Sequence, residues 1–270
     1  SALDSLLNLG FGYVVGGTVT LDPRTGNPKP RLLRYPKQKA LINALGFPGK
    51  GVDHALENLS SMTRTKKPVL VSIAGLSIQE FVKCYTVLAP VTEAIELNIS
   101  SPNTAGLKIF HEPETFEKLI TELNRQKKKP IFVKIPPYFK DSERQTVMSL
   151  IKICNSNKID GITAINTKPF SDPRLKIGSG GLSGKPLFRE MLRMIADIRK
   201  EFGNRMIINA CGGISSAEDV FSALKTGANS TQIYTGLVYE GPDIVQKINL
   251  GLLKLLEEKK LRSIADISSS

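Results

Sequence analysis

Short apolar runs rich in Val and Ile recur along this chain at 11–18, 69–73, 94–100, 131–135, 161–165, 206–210 and 230–234. Between them lie stretches of helical period, predicted at 52–65, 77–88, 113–126, 141–155, 187–201 and 215–226, with 242–259 closing the chain. Strand and helix alternate, and no linker interrupts them. This pattern demands a parallel sheet with helices outside it. The strands are short and β-branched, as strands buried on both faces should be. The fold class is therefore α/β, and a closed (β/α)₈ barrel fits best, with 1–270 as a single barrel domain. The count is one strand short. The chain opens on a helix at 2–9, with Leu3, Leu6 and Leu7 on one face and Gly10 just past its end, so the absent strand should be the first. An open doubly wound sheet is the alternative, but no strand is followed by G-x-G-x-x-G opening a helix.

Two irregular stretches interrupt the alternation. Residues 18–21 run into a turn at Asp22-Pro23-Arg24-Thr25-Gly26-Asn27-Pro28, and 31–35 should return from it. Residues 40–51 and 166–186 read as glycine-rich loops.

In a parallel α/β protein the chemistry sits at the C-terminal ends of the strands. Those ends carry Gly17-Thr18, Ser72, Asn98, Lys134, Asn166-Thr167, Gly212-Gly213 and Tyr234-Thr235-Gly236. The central strand alternates Ile95, Leu97 and Ile99 with Glu96, Asn98 and Ser100, then breaks at Ser101-Pro102. A local Asx or Ser turn would explain Ser101-Pro102-Asn103 by itself. Two amides and a hydroxyl on one strand end also suit a reactive pocket. Gly212-Gly213 and Tyr234 to Gly236 follow the last two barrel positions, where this fold commonly binds phosphate. Lys134 stands in the apolar strand Ile131-Phe132-Val133-Lys134-Ile135 and is costly there unless paired with something negative. It could form a Schiff base or stabilise an anionic cofactor ring. Asn43, Asn98, Asn103 and Asn166 would surround the mouth, with Phe47 nearby. Amides offer both donor and acceptor, which suits a planar ligand such as a pyrimidine. No Asp or Glu stands among them as an obvious base, which leaves Ser101.

The net charge is +12. Lys66-Lys67 and Lys127-Lys128-Lys129 each follow a predicted helix, where cations complement the dipole. With the remaining basic residues scattered and aromatics at 6%, a nucleic-acid partner is not expected; an anionic small ligand or an acidic membrane surface fits the charge. Cys84, Cys154 and Cys211 are isolated, and His54 and His111 read as surface residues, so no metal site and no disulfide framework is expected. Unpaired cysteines favour a reducing, cytoplasmic compartment. No apolar run is long enough to span a membrane, and the opening residues lack the order of a secretory leader.

Three motifs carry a family resemblance: Asn98-Ile99-Ser100-Ser101-Pro102-Asn103-Thr104, Gly180-Gly181-Leu182-Ser183-Gly184-Lys185-Pro186-Leu187 and Gly26-Asn27-Pro28-Lys29-Pro30-Arg31. The chain resembles the dihydroorotate dehydrogenases from about Leu3 to its last helix. The resemblance implies an FMN-binding (β/α)₈ barrel that oxidises dihydroorotate to orotate in pyrimidine synthesis. It implies that Ser101 stands where the quinone-linked class has its serine base; since a serine alkoxide does not persist at neutral pH, Thr104 or an ordered water would pass the proton on. Asn43, Phe47, Asn98, Asn103, Asn166 and Thr167 would hold substrate, and Lys134 would lie beside the flavin. Gly17, Thr18, Ser72, Asn98, Asn166, Ser183, Gly184, Gly212, Gly213, Tyr234 and Thr235 would contact the cofactor. The chain departs from the family in three ways. The first strand, with its substrate-binding lysine, has no counterpart. Val71-Ser72-Ile73-Ala74-Gly75 looks more like the soluble class. The apolar helical pair that docks the quinone-linked class on membranes is absent. A quinone acceptor with peripheral membrane contact is the expectation. Another FMN barrel acting on pyrimidines, or a non-catalytic barrel subunit, is the alternative.

Overall fold

The computed structural model describes residues 2–62, 67–102, 104 and 106–269. In chain order the elements are α1 (Ala2–Asn8), β1 (Val14–Val19), β2 (Leu32–Tyr35), β3 (Ala40–Asn43), α2 (Gly51–Ser60), β4 (Val69–Ile73), α3 (Ile78–Leu88) and β5 (Ala94–Asn98). Then come α4 (Pro113–Arg125), β6 (Ile131–Ile135), α5 (Asp141–Ser156), β7 (Gly161–Ala164), β8 (Lys168–Ser171), β9 (Ser179–Gly184) and α6 (Phe188–Phe202). The chain ends with β10 (Ile207–Cys211), α7 (Ala217–Thr226), β11 (Ser230–Gln232), α8 (Thr235–Glu240), α9 (Ile244–Glu258) and a short 3₁₀ segment.

Seven strands form one parallel sheet in the order β1-β4-β5-β6-β7-β10-β11. Each strand follows its neighbour in the chain through a helix, which makes this an α/β barrel lacking one strand. The alternation of the strands explains the layers. Ile95, Leu97, Val133 and Ile162 point outward and are fully buried under the helices. The opposite face looks inward: Leu70, Ala94 and Phe132 pack with Tyr13 and Val15 at the floor, and Glu96, Lys134 and Thr163 form a polar layer above them. Helix α1 packs on the outer face of β1, with Leu7 buried against Val14 and Val69 and with Leu3 and Leu6 beside them.

Among the described residues, β1 and β11 have no further strand partner, so the missing position lies between them. A side chain spans part of this gap. Tyr13, just before β1, sets its hydroxyl 2.9 Å from Ser230 Oγ and accepts a hydrogen bond of 3.3 Å from Gln232 Nε2, both on β11. Burial raises the Tyr13 phenol above its ordinary range, so it stays protonated and able to donate.

Both irregular stretches differ from expectation. Residues 31–35 do not return against 18–21. Strand β2 instead pairs with β3, and β3 pairs with β9, giving a second antiparallel sheet in the order β2-β3-β9-β8 over the barrel mouth. Residues 40–43 are thus a strand rather than a loop, and Ala40, Leu41 and Ile42 are buried. Of the glycines of 166–186, read as loop formers, Gly180, Gly181 and Gly184 lie within β9, and Gly178 just precedes it. A Cβ on Gly180 would come within 2.7 Å of the Asn43 carbonyl oxygen, so glycine there permits close strand approach. Tyr35, Asp172 and Arg174 tie the two outer strands of this sheet together by hydrogen bonds and an ion pair.

Other differences are local. The helix expected at 52–65 ends at Ser60, and residues 63–66 lie outside the described residues. The capping serine of α7 is Ser216, which accepts from the Asp219 amide at 3.2 Å, one residue later than the spacing suggested. Helix α8 was not expected. His111 is half-buried rather than a surface residue.

Candidate active site

The strand ends and the antiparallel sheet enclose a cavity of about 530 Å³, large enough for a cofactor and a small substrate together. It is lined by Gly17, Thr18, Asn43, Phe47, Asn98, Ser101, Lys134, Asn166, Thr167, Ser183, Gly184, Gly212, Gly213, Tyr234 and Thr235. Fifteen of the residues singled out in the sequence therefore meet in one place. Ser72 is buried just behind the wall, 3.1 Å from Thr18 Oγ1 through its own hydroxyl. Thr104 is buried near the loop and does not line the cavity. Asn103 lies outside the described residues.

A chain of hydrogen bonds runs around the strand ends. Asn98 Nδ2 donates to Thr18 Oγ1 at 3.1 Å, and Asn166 Nδ2 donates to Asn98 Oδ1 at 3.0 Å and to Ser100 Oγ at 2.9 Å. Ser100 then donates to the Lys134 carbonyl at 2.8 Å, and the Thr167 amide donates to Asn166 Oδ1 at 2.8 Å. The amides are held in fixed orientations by β1, β5 and the end of β7. From above, Asn43 Nδ2 donates to the Gly181 carbonyl at 3.4 Å.

Lys134 Nζ lies 3.8 Å from Glu96 Oε1 and 3.8 Å from Cys211 Sγ. Burial alone would lower this lysine. The interactions with Cys211 and Glu96 outweigh burial and hold it above the ordinary lysine range. The ammonium is thus charged at neutral pH and faces the cavity. Sequence reading required a negative partner for Lys134 but did not identify Glu96. Both lie at inward positions of adjacent strands, paired Glu96↔Phe132 and Asn98↔Lys134, and that register supplies the missing signal.

At the opposite wall, Gly212 and Gly213 both adopt positive φ, 148° and 74°. Such a turn directs successive amides toward one point and suits an anion. It is braced by Asp219, which accepts from Ser215 N at 2.9 Å and pairs with Lys185 Nζ at 2.8 Å. Thr235 Oγ1 and Ser183 Oγ are 2.9 Å apart, joining α8 to β9. Tyr239 donates to the Ala40 carbonyl at 2.7 Å, joining α8 to β3.

The loop carrying Ser101 is clasped at its two ends. His111 Nε2 donates to the Ile99 carbonyl at 3.1 Å. Desolvation lowers the His111 pKa, so the ring that makes this bond is neutral near pH 7. Sequence reasoning missed Leu41, Leu45, Leu187, Cys211 and Gln232, which also line the cavity. Cys211 and Gln232 end strands and were accessible to the strand-end rule, whereas Leu41 and Leu45 belong to a stretch read as loop.

No helix among the described residues is long and apolar enough to cross a membrane. Among these residues no group of His, Cys, Asp and Glu could hold a metal ion.

The donor set suits a flavin mononucleotide: glycine amides for a phosphate, a lysine ammonium and fixed amides for a polar ring edge, and apolar walls. The family model described as dihydroorotate dehydrogenase matches residues 1–256. The quinone-type dihydroorotate dehydrogenases of Trichodesmium erythraeum and Myxococcus xanthus are each 34% identical to this chain, covering 98% of it and 75% and 76% of their own lengths. That of Thermus thermophilus is 32% identical, with 98% of this chain and 79% of its own covered. Among solved structures, ligand-free dihydroorotate dehydrogenase from Eimeria tenella superposes with a TM-score of 0.87 at 26% identity, over 97% of this chain and 83% of that one.

Proposed function

The chain belongs to the dihydroorotate dehydrogenase family, oxidoreductases of pyrimidine biosynthesis, and on that premise we propose that residues 1–270 form one FMN-binding barrel in which Ser101 is the base. The observation that carries this reading is the fixed ring of amides and hydroxyls around Lys134 at the strand ends. FMN, when bound, supplies the two-electron acceptor. Asn43, Asn98, Asn103, Asn166 and Thr167 bind the alternating carbonyls and N–H groups of dihydroorotate, beside Phe47. Ser101 takes the proton from C5 while the C6 hydrogen leaves with its electron pair, and the C5–C6 double bond of orotate forms. A serine alkoxide does not persist at neutral pH, so the proton must move on. A relay through the Thr104 hydroxyl, buried near this loop, or through an ordered water would carry it away, each oxygen giving up one proton as it takes another. Lys134 places a fixed positive charge where negative charge gathers. Gly17, Thr18, Ser183 and Gly184 approach the cofactor ring with Ser72 behind them, and Gly212, Gly213, Tyr234 and Thr235 hold its phosphate.

The named relatives support a quinone as electron acceptor. A quinone dissolves in lipid, so this reading carries peripheral membrane contact with it, which the charge of +12 favours. The test is anaerobic purification followed by dihydroorotate oxidation against a soluble quinone, fumarate and NAD. We expect one FMN per chain and turnover with the quinone. Turnover with fumarate or NAD alone would overturn the acceptor, and a flavin-free, inactive protein would overturn the function.

A further inference from the structure

We infer that Glu96 is the positioning residue of Lys134, and that Thr163 aims it. The inference rests on the reading of Lys134 as the residue beside the flavin. Glu96 is 2% exposed, on the inward face of β5. A carboxylate there is costly to bury and persists only if its charge is matched and its oxygens are hydrogen-bonded. Both conditions are met. Thr163 Oγ1 donates to Glu96 Oε2 at 2.7 Å, which leaves Oε1 turned toward Lys134 Nζ at 3.8 Å. The three residues come from consecutive strands β5, β6 and β7, with Lys134 directly paired to Thr163. They form a layer directly beneath the cavity floor.

A lysine side chain has four rotatable bonds and loses its aim unless something holds its end. The charged or titratable groups facing Lys134 are Glu96 on β5, Cys211 on β10 and Tyr13 at the open edge. Glu96 is the only carboxylate of the three, and the Thr163 hydrogen bond fixes which of its oxygens meets the ammonium. It therefore sets both where the ammonium sits and how firmly it keeps its proton. Sequence reading found the cation and not its counter-charge.

The test reads Lys134 directly, in the flavin-free protein, by NMR titration of ¹⁵N-labelled lysines assigned with Lys134→Arg. Glu96→Gln should lower the Lys134 pKa by about one to two units, the usual influence of an opposite charge at this range. In the flavin-loaded enzyme the alkaline limb of the flavin-reduction rate should shift by the same amount while KM stays fixed. Glu96→Asp should restore part of the shift. A carboxylate with only a structural role would alter stability and leave the titration in place. An unchanged Lys134 titration in folded Glu96→Gln overturns the inference. If that variant does not fold, Thr163→Val carries the test. It keeps the charge and removes only the hydrogen bond that aims it; a smaller downward shift upholds the inference, and no shift overturns it. Because the titration needs no flavin, its failure is separable from failure of the cofactor reading.

Discussion

Ser100 and Ser101 are adjacent, and the proposed function makes Ser101 the base. The Ser100 hydroxyl is committed, donating to the Lys134 carbonyl and accepting from Asn166. Ser101 lines the cavity instead. Removing its hydroxyl should spare the amides that bind substrate and impair only the proton transfer. Ser101→Ala should slow flavin reduction by about 10²–10⁴-fold, the usual worth of a positioned base, with little change in substrate affinity. Ser101→Cys should keep part of the rate, with its optimum moved to lower pH by the more acidic thiol. Anaerobic stopped-flow reduction by dihydroorotate decides this; a Ser101→Ala enzyme as fast as the parent means the base lies elsewhere. At this scale the sequence was readable wherever a residue's position along a strand was enough. Asn98 ends β5, Lys134 stands one residue before the end of β6 and Asn166 two beyond β7, and all reach the cavity. Glu96 was not readable, because its role appears only when three strands are set in register.

Elements that bury one continuous apolar run were legible to the residue. Strands β4 and β6 begin and end where the apolar runs do. The β8–β9 hairpin was not, since Gly180 and Gly181 hide its strand signal and serve close packing instead. The turn after β10 shows glycine in its other use. Gly213 has φ of 74°, and a Cβ there would stand 2.8 Å from the Phe188 amide nitrogen and 2.9 Å from the Gly184 carbonyl oxygen. Gly213→Ala must therefore shift the loop proposed to cradle the phosphate. We expect FMN affinity to fall about tenfold or more, equivalent to about 1.4 kcal/mol, measured by fluorescence titration of the apoprotein. Unchanged affinity would remove this loop from the cofactor site.

For the molecule as a whole, seven strands and an unfilled position were legible from the alternation alone, because parallel strands buried on both faces leave a strong apolar signature. What spans part of the gap was not. The bridge is polar and made by side chains, Tyr13 to Ser230 and Gln232, and neither end looks unusual in sequence. Tyr13→Phe keeps the ring in the floor and deletes only the bridging hydroxyl. It should cost about 1 kcal/mol of stability, the typical worth of a hydrogen bond, read as a lower urea midpoint at constant slope. An unchanged midpoint would show that the edges do not depend on the bridge. The antiparallel sheet over the mouth carries a different consequence, for synthesis. Leu41 lies 142 residues before its partner Ser183. Five of the seven barrel strands leave the ribosome before β9 does. Throughout that interval the apolar strand Ala40–Asn43 has only the short β2 beside it and an open edge on its other side. An open apolar edge is what recruits other chains. A nascent polypeptide halted before Gly184 is therefore the species most exposed to aggregation, and the one for which a chaperone matters most.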